Sequence, residues 1–448
     1  MTRYASASTF TVLLYTLVSG CGGSSSSSDP SNPSDNSATG VLLDSPVVNI
    51  DFQTASQSGS TNDSGEFSFR SGEEITFSVG DITLPPVTAS ELITPLEMSD
   101  QGEVDDRVVN ILRFLQSLDN DGVPENGLTI TDSAKTAGTG FTIDFDQTIT
   151  DFENDQNVIN LVANDGSGQL VSEEDASDHF RKTLASEGIS TDSGVVGTYA
   201  LSGGDAVLVF AESGAFYMGE FNSSEILDDE LECVDPVPDC IDPAGVAPEQ
   251  CDEFETLSPA QCNEFKDSGF EVGKYSFVQN VLNWNITDDR NGQVGILNTT
   301  PGESHSETEF RVTTLDDSEL AVENVDDAMD TLSFDRVASQ SGSLSGAWYS
   351  SSNEGQAVLI FDGSETSGTY YLLQLTEANP LFEGVEKGTY TRDGTSGDLS
   401  ASSSVDYTGE AGLADGGGGS FTFTVDGDTL TGSDSSGSFT LQRIDDAE

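Results

Sequence analysis

The sequence predicts a mainly β protein whose helices are confined to part of its first half. Gly, Ser, Thr and Asp are abundant and separate short apolar segments, as in chains built of short strands and turns. Two segments of the second half repeat one order of landmarks, which indicates a duplicated unit. At 448 residues the chain is long for a single core, so we expect two or three domains.

The first twenty residues have the pattern of a secretory signal peptide. Arg3 is followed at residues 9–18 by an apolar run about half as long as the about 20 residues that span a membrane. Residues 18–21, Val-Ser-Gly-Cys, resemble a bacterial lipobox, in which the cysteine is diacylated and becomes the new N-terminus. The resemblance implies an acyl anchor at Cys21. Because Gly22 and not aspartate follows, it also implies sorting to the outer membrane, with both faces of that membrane left open. The alternative is an ordinary signal peptide with an unrelated cysteine.

A flexible tether is predicted after Cys21, since residues 22–39 are nearly all Gly, Ser, Asp, Asn and Pro. More than one acyl chain on the cysteine would make the anchoring stable. The sequence thus divides into a signal peptide, an acylated cysteine with its tether, a β-sandwich-like module with helices, and two repeats, at residues 1–20, 21–39, 40–190, 195–338 and 343–445.

The formal net charge is −64, which argues against nucleic acid as a partner because phosphate backbones would be repelled. Anionic lipid headgroups would be repelled as well, which leaves the acyl anchor as the predicted membrane contact. Acidic residues are spread over the whole chain, as expected for adaptation to salty water. Where acidity is local, divalent cations are the natural ligands.

Residues 40–90 predict a run of strands. Apolar and polar residues alternate at residues 66–69 and again at 75–79, and Asp63-Ser64-Gly65 forms the predicted turn before the first of these. Thr61, Asp63 and Gly65, with two phenylalanines at 67 and 69, resemble the small β-sandwich modules called carboxypeptidase-regulatory-like or transthyretin-like. In those modules the pattern is a structural signature and not an active site.

Helical periodicity follows this module. Val108, Ile111, Leu112, Leu115 and Leu118 recur at the spacing of one helix face. A second short helix is predicted at residues 172–186, with a serine in the cap position. The predicted first domain is therefore a small β-sandwich module with two short helices.

The segment LDNDGVPENG is a candidate calcium site because it places several oxygen donors in one tight loop, namely Asp119, Asp121, Glu125 and Asn126. It is not an EF-hand, whose glycine stands at position six, whereas Gly122 stands at four. A turn that ends a helix would use the same residue types, and this alternative stays open.

The duplicated unit opens with Gly197-Thr198-Tyr199 in one copy and Gly346-Ala347-Trp348 in the other. AVLVF at 206–210 matches AVLIF at 357–361, and further matches join Gly273 to Gly388 and Arg336 to Arg443. This pattern resembles small lipocalin-like β-barrels, in which an aromatic residue and an arginine help to close the barrel floor. The resemblance implies two tandem lipocalin-like barrels. Within the second copy, SFTFTVDGDTLTG predicts a hairpin that turns at Asp426-Gly427.

Aromatic residues on the predicted strands either line a ligand cavity or fill the barrels, since small barrels do both. They are Phe216, Tyr217, Trp284, Tyr370 and Tyr371.

The first repeat is longer than the second by an acidic insert at 222–269 that holds Cys233, Cys240, Cys251 and Cys262. In an exported chain four cysteines imply two disulfides, and the three pairings stay open. Zinc is the alternative, although the spacing lacks the tight pairs usual in such sites. An acidic loop held by disulfides could serve as a recognition surface.

Motifs of catalysis are absent from the sequence. The two histidines, His179 and His305, accompany no G-x-S-x-G elbow, no H-E-x-x-H and no phosphate-binding glycine loop. We therefore expect a non-enzymatic, lipid-anchored envelope protein with a role in binding or adhesion, with calcium as the one candidate cofactor. One alternative is a carrier of a small apolar molecule inside a barrel. The other is a hydrolase that uses paired carboxylates.

Overall fold

The computed structural model describes residues 37–100, 102–221, 268–290, 309–325, 331–352, 355–375, 384–406, 408, 412–414, 421–434 and 437–444. These residues form a β-sandwich-like region with several helices, followed by two closed barrels, so the mainly β prediction is confirmed. The predicted signal peptide, Cys21, the four insert cysteines and His305 lie outside the described residues.

The N-terminal region holds ten short strands. One sheet has the strand order β5-β1-β9. A second has the order β4-β3-β6-β7, and β8 also pairs with β6. The strands β10 and β2 form a third, two-stranded sheet. The predicted alternation is confirmed, because Phe67, Phe69 and Phe77 all enter one shared core. The strands are β1 (Ser37–Leu42), β2 (Val47–Val48), β3 (Asp51–Thr54), β4 (Ser58–Ser60), β5 (Glu66–Arg70), β6 (Glu74–Val79), β7 (Ile82–Thr83), β8 (Val87–Thr88), β9 (Leu92–Ile93) and β10 (Leu128–Thr129).

Five α-helices belong to this region, and two of them are the predicted ones. The helices are α1 (Asp106–Ser117), α2 (Asp132–Ala137), α3 (Ile149–Glu153), α4 (Gln156–Asp165) and α5 (Glu173–Glu187). The Asp105 side chain caps α1 by accepting from the Val108 N–H, and Ser172 caps α5 by accepting from the Asp175 N–H. The helices α2 and α3, of six and five residues, were not predicted because they are too short to show a helical period. The helix α4 was also not predicted, although Val158, Leu161 and Val162 have helical spacing and are buried.

Each repeat forms an eight-stranded antiparallel barrel. Every strand pairs with the next along the chain, and the first pairs with the last, which closes the barrel. The first barrel consists of β11 (Gly197–Leu201), β12 (Ala206–Phe210), β13 (Ala215–Phe221), β14 (Ser268–Val278), β15 (Val281–Asp289), β16 (Glu309–Leu315), β17 (Glu319–Asn324) and β18 (Thr331–Arg336). The second consists of β19 (Gly346–Ser352), β20 (Gly355–Gly363), β21 (Ser367–Leu375), β22 (Gly384–Arg392), β23 (Asp398–Asp406), β24 (Phe421–Asp426), β25 (Thr429–Ser433) and β26 (Ser438–Arg443).

Strand register supports the duplication. A register shift falls between Val272 and Gly273 in the first barrel and between Lys387 and Gly388 in the second. A Cβ on Gly273 would lie 2.0 Å from the Asn285 carbonyl oxygen, and one on Gly388 would lie 2.1 Å from the equivalent carbonyl of residue 402. Each copy therefore requires glycine beside its bulge.

The predicted hairpin of the second barrel is present, but its turn is shifted by one residue. Asp426 pairs with Thr429, so the two turn residues are Gly427 and Asp428 and not Asp426-Gly427. Gly427 has φ of 59°, which explains why glycine occupies the first turn position.

The N-terminal region packs against the first barrel through α5. Phe180 and Leu184 of this helix share an apolar cluster with Val278 at the end of β14. The Ser276 hydroxyl donates to the Arg181 carbonyl at 3.0 Å. The β14–β15 turn adds a further contact, as the Gln279 amide donates to the Val104 carbonyl at 3.0 Å.

The two barrels contact each other through the outer faces of equivalent strands. Val209 of β12 and its equivalent Ile360 of β20 lie in one apolar cluster that spans both barrels. The ring centroids of Phe221 and Tyr371 are 5.2 Å apart across this interface. Among the described residues, no helix is long and apolar enough to cross a membrane.

Candidate functional site

The floor of the first barrel is built by the predicted aromatic–arginine pair. Tyr199 and Arg336 are direct partners of β11 and β18, and the guanidinium carbon lies 5.4 Å from the ring centroid. Arg336 also donates to the Val196 carbonyl at 2.8 Å. Gly197 has φ of 148°, and a Cβ there would lie 2.8 Å from the guanidinium, so the opening glycine makes room for the arginine.

The floor of the second barrel repeats this arrangement with closer contacts. The Arg443 guanidinium carbon lies 4.0 Å from the Trp348 ring centroid, a cation–π distance. Arg443 donates to the carbonyls of Ser343 and Ser345, the latter at 2.8 Å, and its Nε lies 3.3 Å from a carboxylate oxygen of Asp428. In each barrel the floor pair joins the start of the first strand to the end of the last strand.

The interior of the first barrel is filled by its own side chains. Phe216 and Trp284 point inward and pack edge to face at 4.9 Å between ring centroids. The remaining cavity, which Leu208, Trp284 and Phe334 help to line, measures about 10 Å³, room for about one water molecule. Of the five aromatic residues singled out from the sequence, Phe216, Trp284 and Tyr370 lie in the barrel cores, whereas Tyr217 and Tyr371 lie between the barrels.

A buried glutamate lies on the inner face of the second barrel. Glu386 pairs with Leu372 on the inner face and accepts hydrogen bonds from the Tyr370 hydroxyl and from the backbone N–H groups of Leu413 and Ala414, at 2.6 and 2.9 Å for the latter two. Burial raises the pKa of the Glu386 carboxyl, although these donors act in the opposite direction. The equivalent position in the first barrel is Glu271, which is also fully buried.

The predicted acidic recognition segment belongs to the end of the first barrel opposite its floor. Successive strands of the barrel alternate in direction, and the short turns after Phe210 and Val278 lie at the floor end. The connection between β13 and β14, which holds the four cysteines, therefore leaves from the other end. Its own structure lies outside the described residues.

The candidate calcium loop is held by its own hydrogen bonds. The buried Asp119 carboxylate accepts from the N–H groups of Val123 and Thr129 at 3.0 and 2.8 Å. Asp121 accepts from the Val123 N–H at 3.0 Å and from the Asn126 amide at 3.1 Å. Glu125 points elsewhere, toward His179. The helix-ending turn thus accounts for these side chains, and calcium binding stays a prediction from the sequence.

A polar cluster that sequence reasoning missed lies beside this loop. Ser45 Oγ lies 3.2 Å from His179 Nε2, and an oxygen of Glu125 lies 3.9 Å from Nδ1 of the same ring. Fully buried Asp44 approaches Nε2 to 3.8 Å. These residues come from three separate parts of the chain, so only the unusual positive φ of Ser45, 54°, marks the site locally.

The order serine, histidine, carboxylate resembles that of a nucleophilic triad, but the surroundings favour a structural contact. The residue after Ser45 is proline, which has no backbone N–H to stabilise an oxyanion at that position. His179 is only 8% exposed, and burial lowers its pKa. We therefore assign the cluster to the packing of α5 against the turn at residues 43–46.

Comparisons with protein-family models, with curated proteins and with solved structures find no match for this chain. In the part of the chain that the structure describes, no three His, Cys, Asp or Glu side chains are grouped so that they could hold a metal ion.

Proposed function

We propose that this protein is a lipid-anchored component of the bacterial cell envelope with a non-catalytic binding or adhesion role. The observation that carries the proposal is the packed barrel interior. In the first barrel, a cavity of about 10 Å³ is far below the roughly 300–1,000 Å³ of typical small-molecule sites, which favours recognition on the outside of that barrel.

The position of the N-terminal region supports recognition at the barrel ends away from the membrane. The predicted anchor and tether lead into β1, and the N-terminal region contacts the floor end of the first barrel at Gln279. The acidic four-cysteine connection leaves from the opposite end. A partner outside the membrane would therefore meet this segment first, and its charge favours a cationic partner surface.

Lipid anchoring is tested by expressing the full chain with radiolabelled palmitate and fractionating the membranes. We expect label in the wild type and none in Cys21→Ser, which should keep its signal peptide or become soluble. Label retained in the variant would overturn the anchor.

The binding role is tested first by native mass spectrometry of full-length protein extracted from its membrane. It is tested second by attachment assays with cells that display the protein on their surface. We expect a polypeptide mass with no apolar organic ligand besides the acyl chains. A co-purifying apolar molecule would instead support the carrier alternative, in which the cavity at Trp284 widens. Equal attachment by cells that display the wild type and by cells that lack the protein would count against adhesion.

A further inference from the structure

A carboxyl group is enclosed between the N-terminal strands and two helices. Asp44 lies between β1 and β2 and is fully buried. Its Oδ2 accepts from the Gln116 amide of α1 at 3.0 Å, and the same amide nitrogen donates to the Ala176 carbonyl of α5 at 3.1 Å. Asp44 and Gln116 thus join the strand region, α1 and α5 at one point.

The other oxygen of this carboxyl has no donor. Within the described residues, Asp44 Oδ1 has no hydrogen-bond partner, and neither does Oε1 of Gln116. An ionised carboxylate would therefore be fully buried with a single amide donor. Such a charge is unfavourable, whereas a neutral carboxyl carries its own proton donor.

The charged and titratable groups nearby do not compensate for an ionised Asp44. His179 of α5, 3.8 Å from Oδ1, has a pKa lowered mainly by burial, which disfavours its charged form. Glu125 of the neighbouring loop faces the far side of the ring and raises this pKa, whereas Lys182 of α5 lowers it. Burial accordingly raises the pKa of Asp44 to about 7.

We propose that Asp44 is a proton-binding site that controls how firmly α5 is held on the N-terminal region. The protonated carboxyl fits the enclosed site between α1 and α5, and its ionisation loosens the helix. The opposite face of α5 holds the first barrel, where Arg181 lies 3.2 Å from an oxygen of Glu309. The protonation of Asp44 would therefore also set how the first barrel is attached to the N-terminal region.

The direction of the pH dependence follows from the sign of the shift. Because the pKa of Asp44 in the folded state lies above the ordinary value of 3.8, its protonation stabilises the folded arrangement fully at low pH. This stabilisation is lost as the pH rises through about 7. The loosened state gains up to roughly tenfold in population for each pH unit between these two values, and the gain levels off above about 7.

The test is amide hydrogen exchange of the full chain between pH 5 and 9, corrected for the intrinsic pH dependence of exchange. For peptides covering 173–187 we expect protection to fall about tenfold between pH 6 and 8, while peptides covering 156–165 keep theirs. Asp44→Asn, which keeps an acceptor for Gln116, should abolish the fall. Glu187→Gln removes one charge from the same helix at an exposed position and should leave the fall unchanged.

Two results would overturn the proposal. One is α5 protection that does not change with pH in the wild type, or that falls equally in Asp44→Asn. The other is a pKa near 4 for Asp44, measured in the wild type by NMR titration of its carboxyl carbon. This measurement decides the question if the Asp44→Asn chain fails to fold.

Discussion

Replacement of the two floor arginines should destabilise the two barrels unequally. Arg443 is almost fully buried at its side chain, 3% exposed, so its contacts act with little screening by water. Its ring contact with Trp348 contributes about 2 kcal/mol, and its hydrogen bonds to two carbonyls contribute about 1.5–3 kcal/mol each. These terms overlap, and we expect Arg443→Met to lower the stability of the second barrel by about 4–5 kcal/mol.

Arg336→Met is the matched variant. At 5.4 Å from the Tyr199 centroid its ring contact is weaker, about 0.5–1 kcal/mol, and its described hydrogen bond is the one to Val196. We therefore expect a loss of about 2–3 kcal/mol in the first barrel. Arg443→Lys should fall between the two arginine-to-methionine variants, since an ammonium group cannot reproduce the planar fork of the guanidinium.

The chain supplies one reporter for each barrel, because its two tryptophans are Trp284 in the first and Trp348 in the second. Urea unfolding is followed by fluorescence, with Trp284→Phe as the background for the second barrel and Trp348→Phe for the first. Equal shifts of the two midpoints would refute the reasoning, and so would an Arg443→Met effect that is as large on the Trp284 signal as on the Trp348 signal.

Three further predictions concern the repeats. Gly388→Ala should prevent the second barrel from folding, as judged by near-ultraviolet circular dichroism, whereas Gly437→Ala, whose Cβ would meet nothing within 4 Å, should not. Glu386→Ala should lower the urea stability of the second barrel by about 3 kcal/mol because three donors lose their acceptor, and Glu386→Gln should lower it less; equal losses would contradict this. Gly219→Leu should destabilise the interface between the barrels, since its Cβ would lie 3.0 Å from a Leu373 methyl, and Leu373→Gly in the same chain should recover part of the loss in a double-mutant cycle.

Local sequence patterns predicted two kinds of feature. One is the strands and helices whose apolar residues recur at a regular spacing, and the other is the residues that occur in both copies of the repeat. The alternation at residues 66–69, the cap of α5, and the arginine–aromatic floors were all visible in this way. The helices α2 and α3 were missed because six and five residues are too few to show a period, whereas α4 has the apolar spacing of one helix face and could have been predicted. The duplicated landmarks indicated two barrels, but not which faces of the barrels meet.

Contacts between distant positions could not be predicted, because no local signal marks them. Ser45 and His179 are 134 residues apart, and no sequence motif connects them. The burial of Asp44 depends on two helices that follow it much later in the chain. Only the positive φ of Ser45 distinguishes the turn, and it is a property of the folded backbone.

The contact between the barrels explains one difference between the two copies. Gly219 and Leu373 occupy equivalent positions, opposite Val207 in β12 and Val358 in β20, and a Cβ on the first would touch the second. A position that meets its own equivalent lies on the local two-fold axis, as in an isologous dimer. Two leucines there would clash and two glycines would leave a void, so one large and one small residue fill the space. Positions away from that axis, such as the floor arginines and the bulge glycines, have no such conflict and have kept the same residue in both barrels.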